Sequence, residues 1–346
     1  MKGQYSGKDY GPPAPKPYGF VGIEPRVQRE KTVGHEAFME GYFTGHLRYR
    51  LEAQTHLFVG SGTYSLSEEI GRPPGEVIRS FYRVGVQDKK SGEVRMRPAI
   101  PGSSLKGAVR AVVEAVTASC IGVTRVDRWR IPIREEKGER CTPDRACPAC
   151  SMFGTLGRLG KVRFGDALLT SGRMELYTLP NFYRPRVERD RVPKVYLEGD
   201  KFKGRKFYLH GRMVEAMEGA KAEVVRQGSV LTGRVEFDNL SREELAALFF
   251  ALGLDGSFAL KLGGGKPACL GTVKSEAVEL VLLGQEGLTS YEQVAERYEA
   301  VMAGEYIRNL VTEVERQRNF ILSRQAGWIR QVLNPKNDRE CPTGMY

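Results

Sequence analysis

The chain has 346 residues, 41% of them hydrophobic, enough for one large domain or two small ones around a substantial core. Its formal net charge of +11 favours a polyanionic partner over an acidic or purely apolar one. No apolar run approaches the roughly 18 residues of a membrane span and no secretory segment opens the chain, so a cytoplasmic protein is expected; its six cysteines then argue for metal binding or burial and against a disulfide framework.

Residues 1–17, with PPAPKP, read as flexible or extended. Residues 18–33 mix aromatic, glycine and proline residues and suggest an arm, and 35–41 suggest a short helix. Residues 45–59 alternate: Leu47, Tyr49, Leu51, Ala53 and Thr55 share one face, His46, Arg48, Arg50 and Glu52 the other, which predicts the first sheet strand. His56, near its end, suits a hydrogen-bonding role. Gly60-Ser61-Gly62 ends this strand, and 63–98 are expected as a long loop with a hairpin around Lys89 to Gly92.

Ile100 to Ala115 reads IPGSSLKGAVRAVVEA. Ser103 or Ser104 suits a helix N-cap, and Leu105, Ala108, Val109, Val112 and Val116 recur at helical spacing. Lys106 and Arg110 lie four apart and project from one side near the helix start. Cations beside free helix N–H groups make a ready phosphate site; the plain alternative is a capped core helix. Further on, 161–169 and 229–240 alternate as strands. Residues 241–252 form a helix with a capping box, Glu244 standing three after Ser241, and Leu245, Leu248, Phe249 and Leu252 make its buried face. Residues 272–283 make a final strand. The order strand, helix, strand, strand, helix, strand is the ferredoxin-like, RRM-type order, an α+β fold. Residues 290–332 read as helical with a break near Gly304, and the tail from 334 as disordered.

Three constellations carry chemistry. Cys141, Cys147 and Cys150 form C-x5-C-x2-C, a knuckle that lets thiolates face one zinc ion; a redox pair is the main rival. Tetrahedral closure needs a fourth ligand, and Cys120 is the nearest upstream candidate, with a buried core thiol as its other reading. Such a closed zinc would be structural. Gly263-Gly264-Gly265-Lys266-Pro267, followed by Gly271, is either an anion nest or a tight turn; Pro267 in the Ser/Thr place excludes a P-loop. In residues 181–210, Arg184, Arg186, Arg189, Arg191, Lys194, Lys201, Lys203, Arg205 and Lys206 interleave with Phe182, Tyr183, Tyr196, Phe202, Phe207 and Tyr208. Cations neutralise phosphates and rings stack on unpaired bases; a solvated basic hairpin is the plain alternative.

Taken in order, Gly60-Ser61-Gly62 after a strand, IPGSSLKG opening a helix, CPACSMFG, and LGGGKPACLG before a strand resemble the RAMP superfamily, the RNA-binding subunits of class 1 CRISPR effector complexes. The backbone subunits of type III and type VII complexes are the most similar. The resemblance implies an N-terminal arm (1–45), a ferredoxin-like core (46–285) and a helical C-terminal region (286–346). Within the core it implies a zinc-knuckle insertion (120–160), with Cys120 at a ligand position, and a thumb insertion (173–228) laid across a guide–target duplex through Arg184 and Arg186. Ser103, Ser104, Lys106, Arg110 and Gly263, Gly264, Gly265 and Lys266 would touch the guide backbone. The implied partners are crRNA, target RNA, other effector subunits and further copies stacked head to tail, in antiviral defence. Type III backbone subunits often cut target RNA, with an aspartate in the loop after the first strand. Here that loop is VGSGTYSLSEE, with Thr63 about where the aspartate is expected and Glu68 and Glu69 the first acids, so no catalytic residue is assigned. Asp88 and Asp166 are other carboxylates, the latter inside a predicted strand. An endoribonuclease using Glu68, Glu69 or Asp88, and a stand-alone RNA-binding protein, are the alternatives.

Overall fold

The computed structural model describes residues 16–70, 74–121, 139–181, 194–199, 201–214, 216–284 and 298–342; Arg184 and Arg186, with the rest of 182–193, lie outside them. A short strand β1 (Tyr18–Val21) precedes β2 (Phe43–Ala53), in which alternation does what it predicts: Leu47, Tyr49, Leu51 and Ala53 are fully buried while Arg48 and Arg50 are exposed. Residues 35–41 are a bend followed by a turn, not the expected helix. The buried Asn239 explains this: its amide donates to the carbonyls of Gly34 (3.1 Å) and Ala37 (2.8 Å) and accepts the N–H of Met39 (3.0 Å), replacing a helical ladder.

Residues 63–98, expected as a loop, are mostly strand: β3 (Gly60–Leu66), β4 (Val77–Phe81), β5 (Arg83–Gln87) and β6 (Val94–Ile100). The β5–β6 hairpin turns at 88–93, where Asp88 Oδ1 accepts the N–H groups of Lys90 (2.8 Å) and Ser91 (2.9 Å). Then come α1 (Gly102–Val116), α2 (Pro148–Phe153), β7 (Val162–Phe164), β8 (Ala167–Ser171), β9 (Met174–Pro180), β10 (Arg205–Tyr208), β11 (Gly219–Val225), β12 (Val230–Leu240), α3 (Arg242–Ala251), β13 (Thr272–Leu283), β14 (Tyr298–Val301), α4 (Ala303–Gln317) and α5 (Ser323–Val332). The strand expected over 161–169 breaks at Gly165 and Asp166 into β7 and β8, so Asp166 is not a strand residue.

The result is a mixed α+β architecture. The large sheet runs β13–β2–β12–β8–β6–β5; β7 pairs with β12 and β14 with β13, all antiparallel. Helices α1 and α3 share one core with its buried face. The capping box of α3 is present, with Ser241 Oγ accepting from the Glu244 N–H, and Leu245, Leu248, Phe249 and Phe250 are fully buried. Each contributes about 1.5–3 kcal/mol of transfer free energy. A second sheet runs β9–β11–β4–β3.

The C-terminal region departs from its reading. Residues 298–301 are a strand, and the helical break falls after Gln317, where Arg318 takes φ +58°, not at Gly304. Residues 334–342 are placed: Arg212 donates its N–H to Arg339 O (2.8 Å) and its Nε to Asp338 O (2.9 Å). Cys341 pairs with Cys269, a pairing the reading of the six cysteines as metal-binding or buried did not include; their Cα atoms are 5.8 Å apart, the ordinary span of that bond. Among the described residues no helix is long and apolar enough to cross a membrane.

Candidate metal centre and nucleic-acid face

Cys147 caps the short helix α2 with Pro148 in its first turn, so one turn presents Cys147 and Cys150 together. Cys120, just past α1, and Cys141 complete the group. The Cys120 sulfur lies 3.7 Å from those of Cys147 and Cys150 and 3.9 Å from that of Cys141, and all four sulfurs fall within 4.8 Å of one another. Ligands about 2.3 Å from a tetrahedral ion stand about 3.8 Å apart, so this is the spacing of a four-sulfur site and much too long for a disulfide. Cys120 is thus a member of the group. All four cysteines are buried. The N–H groups of Cys120 and Cys147 point at the sulfurs of Cys147 (3.4 Å) and Cys141 (3.3 Å). The hydrogen bond from Cys120 pulls the Cys147 thiol down to about 6, while Cys120 and Cys150 are pushed up by their crowded neighbours. Four such thiols cannot ionise together without a cation among them.

Helix α1 starts one residue before the serines. Pro101 is the N-cap, and neither Ser103 nor Ser104 caps the helix; both are exposed in its first turn. Gly102 is needed where it stands, because a Cβ there would come 2.1 Å from Phe164 O. Its N–H donates to Asp166 Oδ1 at 2.8 Å, so a carboxylate already occupies part of the anion position at this helix start. Lys106 is half-buried, its pKa lowered by desolvation and by Arg110 and Arg163, and it has no carboxylate partner among the described residues. Arg110 does not join it. Its Nε donates to Glu114 (2.8 Å), Nη1 to Gly154 O (3.0 Å) and Nη2 to Cys150 Sγ (3.5 Å), so it braces the cysteine cluster. Arg29 is a second guanidinium at that cluster, hydrogen-bonded to Cys141. The sequence marks neither role.

The glycine-rich loop lies against Phe58, past the end of β2. Gly263 (φ +73°) has room for no Cβ, which would lie 2.1 Å from Phe58 O, and Gly264 donates its N–H to that same oxygen (2.7 Å). One N–H of the expected nest is therefore spent on packing. Lys266 is half-buried, its pKa lowered by desolvation, and lacks an acidic partner among the described residues. Beside it, buried Lys261 donates to Cys269 O (3.0 Å) and Thr272 Oγ1 (3.0 Å); desolvation, then Lys266 and Arg339, lower its pKa to about 7. His56 is satisfied, bound to Glu175 at 2.9 Å and accepting the Gln227 N–H.

Much of the described thumb segment is engaged within the molecule. Strand β10 pairs with β1, and Lys206 Nζ sits over the rings of Tyr18 (4.3 Å), Tyr208 (4.8 Å) and Tyr196 (5.5 Å). Arg205 pairs with Glu114. In the segment after β2, Thr63 Oγ1 is 2.8 Å from Ser61 Oγ, and Glu68 stands exposed in the 3-10 turn Ser67–Ile70 that also contains Glu69. Asp88 holds a hairpin turn and Asp166 a helix start. Among the described residues, only the cysteines form a group of three or more side chains spaced to hold a metal.

The RAMP superfamily model matches residues 50–274, well over half of the chain. The chain belongs to the RAMP superfamily. Among solved structures it is similar to the crystal structure of Thermofilum pendens Csc2, at 15% identity, covering 86% of this chain and 91% of that chain with a TM-score of 0.39. No curated protein sequence matches.

Proposed function

We propose that this RAMP protein is the guide-RNA-binding backbone subunit of a CRISPR ribonucleoprotein, holding crRNA and presenting complementary target RNA in antiviral defence. One observation carries the reading beyond family membership. Lys106 and Lys266, on two separate family motifs, are half-buried cations without acidic partners among the described residues, whereas Arg48, Arg83, Arg110 and Arg163 are all paired. Desolvated, unmatched cations suit phosphates, whose binding would restore the balance. With them we place Ser103, the Gly265 end of the glycine-rich loop, and Arg184 and Arg186 of the thumb. Strands β13–β2–β12–β8 with α1 and α3 support a ferredoxin-like core. Zinc is the ion we assign to Cys120, Cys141, Cys147 and Cys150, because four soft thiolates in a closed site suit it; it would hold the ends of 120–150 together and take no part in chemistry. Copies would stack head to tail along the guide.

The test is to purify the protein with a co-expressed guide and sequence the RNA retained. A defined guide is the expected result. Mixed cellular RNA would make it a stand-alone RNA-binding protein, and no RNA would contradict the reading. Cleavage of complementary RNA at regular intervals by the guide-loaded assembly and magnesium would instead make it a metal-dependent endoribonuclease, with Glu68, Glu69 and Asp88 the carboxylates to substitute.

A further inference from the structure

One row of side chains crosses the second sheet: Tyr177 of β9 lies opposite Ala222 of β11, Ala222 opposite Arg79 of β4, and Arg79 opposite Tyr64 of β3. The row has two unlike halves. Tyr177 and Ala222 are buried in a cluster with Phe58 and with Ala268 and Leu270 of the glycine-rich loop. Beyond that cover the same face opens to solvent. Tyr64 is 63% exposed, Arg79 is exposed, and Val77, two residues from Arg79 on the same face, is 61% exposed. The Arg79 guanidinium has no hydrogen bond or ion pair among the described residues. Strand β3 reaches this position through a register shift between Gly60 and Tyr64, where Gly62 takes φ +89°. Such a bulge re-aims the side chains that follow it.

An exposed phenol directly beside an unmatched guanidinium is a surface built for a flat, electron-rich, anionic ligand. The ring takes the face of an unpaired base, and the guanidinium stacks beside it or takes the phosphate. Neighbouring strands are about 4.8 Å apart, so Tyr64 lies about 10 Å from Ala222, which the glycine-rich loop covers. We infer that Tyr64 and Arg79 form a stacking platform for an unpaired base of the RNA that the glycine-rich loop holds. This rests on the RNA-binding function above and adds a base-contacting surface where the relatives' catalytic aspartate was expected.

The test titrates the full chain into single-stranded RNA oligonucleotides carrying one 2-aminopurine at successive positions. Binding should quench the probe at particular positions. Tyr64→Ala and Arg79→Ala should each weaken binding about 5- to 100-fold and relieve the quench, the range seen when one stacked base is lost. Tyr64→Phe, which keeps the ring, should preserve both. Thermal unfolding should match the wild type throughout, since both side chains are exposed. Affinity and quench undiminished in both alanine variants would overturn the platform and leave RNA binding standing. A wild-type chain that binds no RNA would overturn the function beneath it. Loss of self-association with RNA affinity intact would give the patch to a protein partner and also overturn the platform.

Discussion

Around the cysteine cluster the two nearest guanidiniums have counterparts. Arg110 meets Glu114, a carbonyl and a thiol, Arg29 meets Cys141, and backbone N–H groups face two of the sulfurs. Around the glycine-rich loop, cations lie beside cations: Lys261 feels Lys266 and Arg339, and burial lowers the pKa of all three. A site that satisfies itself is built for stability, and one left electrostatically unbalanced is built for a ligand. The contrast corrects a plain reading of charge, in which Arg110 and Lys106 looked alike.

The largest effect expected is on the cysteine side. Metal analysis should find about one zinc per chain, and chelation or Cys147→Ser should unfold the knuckle, since structural zinc sites in small peptides are worth about 10 kcal/mol or more. A metal-free chain with unchanged thermal unfolding would break that half of the contrast. On the loop side the expected effect is set by pH. Lys261 titrates near 7 when folded and near its ordinary value when unfolded, so between those values only the unfolded chain holds the proton. The contribution of Lys261 to stability is therefore fully present above pH 10.5 and is lost as pH drops towards 7, by up to about 1.4 kcal/mol per unit, then levels off. Urea midpoints across that window should show the slope in the wild type and lose it in Lys261→Met; equal slopes would mean Lys261 is not the group responsible. A smaller effect separates the two arginine roles. Arg110→Ala should cost about 1–3 kcal/mol of stability by stripping one partner from buried Glu114, and should leave the salt dependence of RNA binding unchanged. A flattened slope would return Arg110 to the RNA.

What was legible in the sequence follows the same division. Strands β2, β12 and β13 could be read because one buried face writes a period into the chain, helix α3 because its capping box marks its start although it is buried on every side, and the cysteine knuckle because its ligands crowd into a few residues. Strands β3 to β6 could not, because Val77, Val94, Met96 and Tyr64 stay exposed and the ladder hydrogen bonds leave no pattern. The fate of 35–41 depends on Asn239, some two hundred residues away. The four-residue spacing of Lys106 and Arg110 fixes a side of the helix and says nothing of Glu114 or Cys150 waiting there. Tyr64 and Arg79 meet only through strand register, and Cys269 and Cys341 only when the tail folds back.

If Lys106 and Lys266 hold RNA phosphates, the salt dependence of binding must show it. Affinity for a guide-length RNA should be measured from low to moderate salt for the wild type and for the Lys106→Ala/Lys266→Ala double variant. The double variant should bind more weakly, with a log–log slope shallower by about two phosphate contacts and little dependence on base sequence. An unchanged affinity and slope would contradict it and leave both lysines as solvated surface charges.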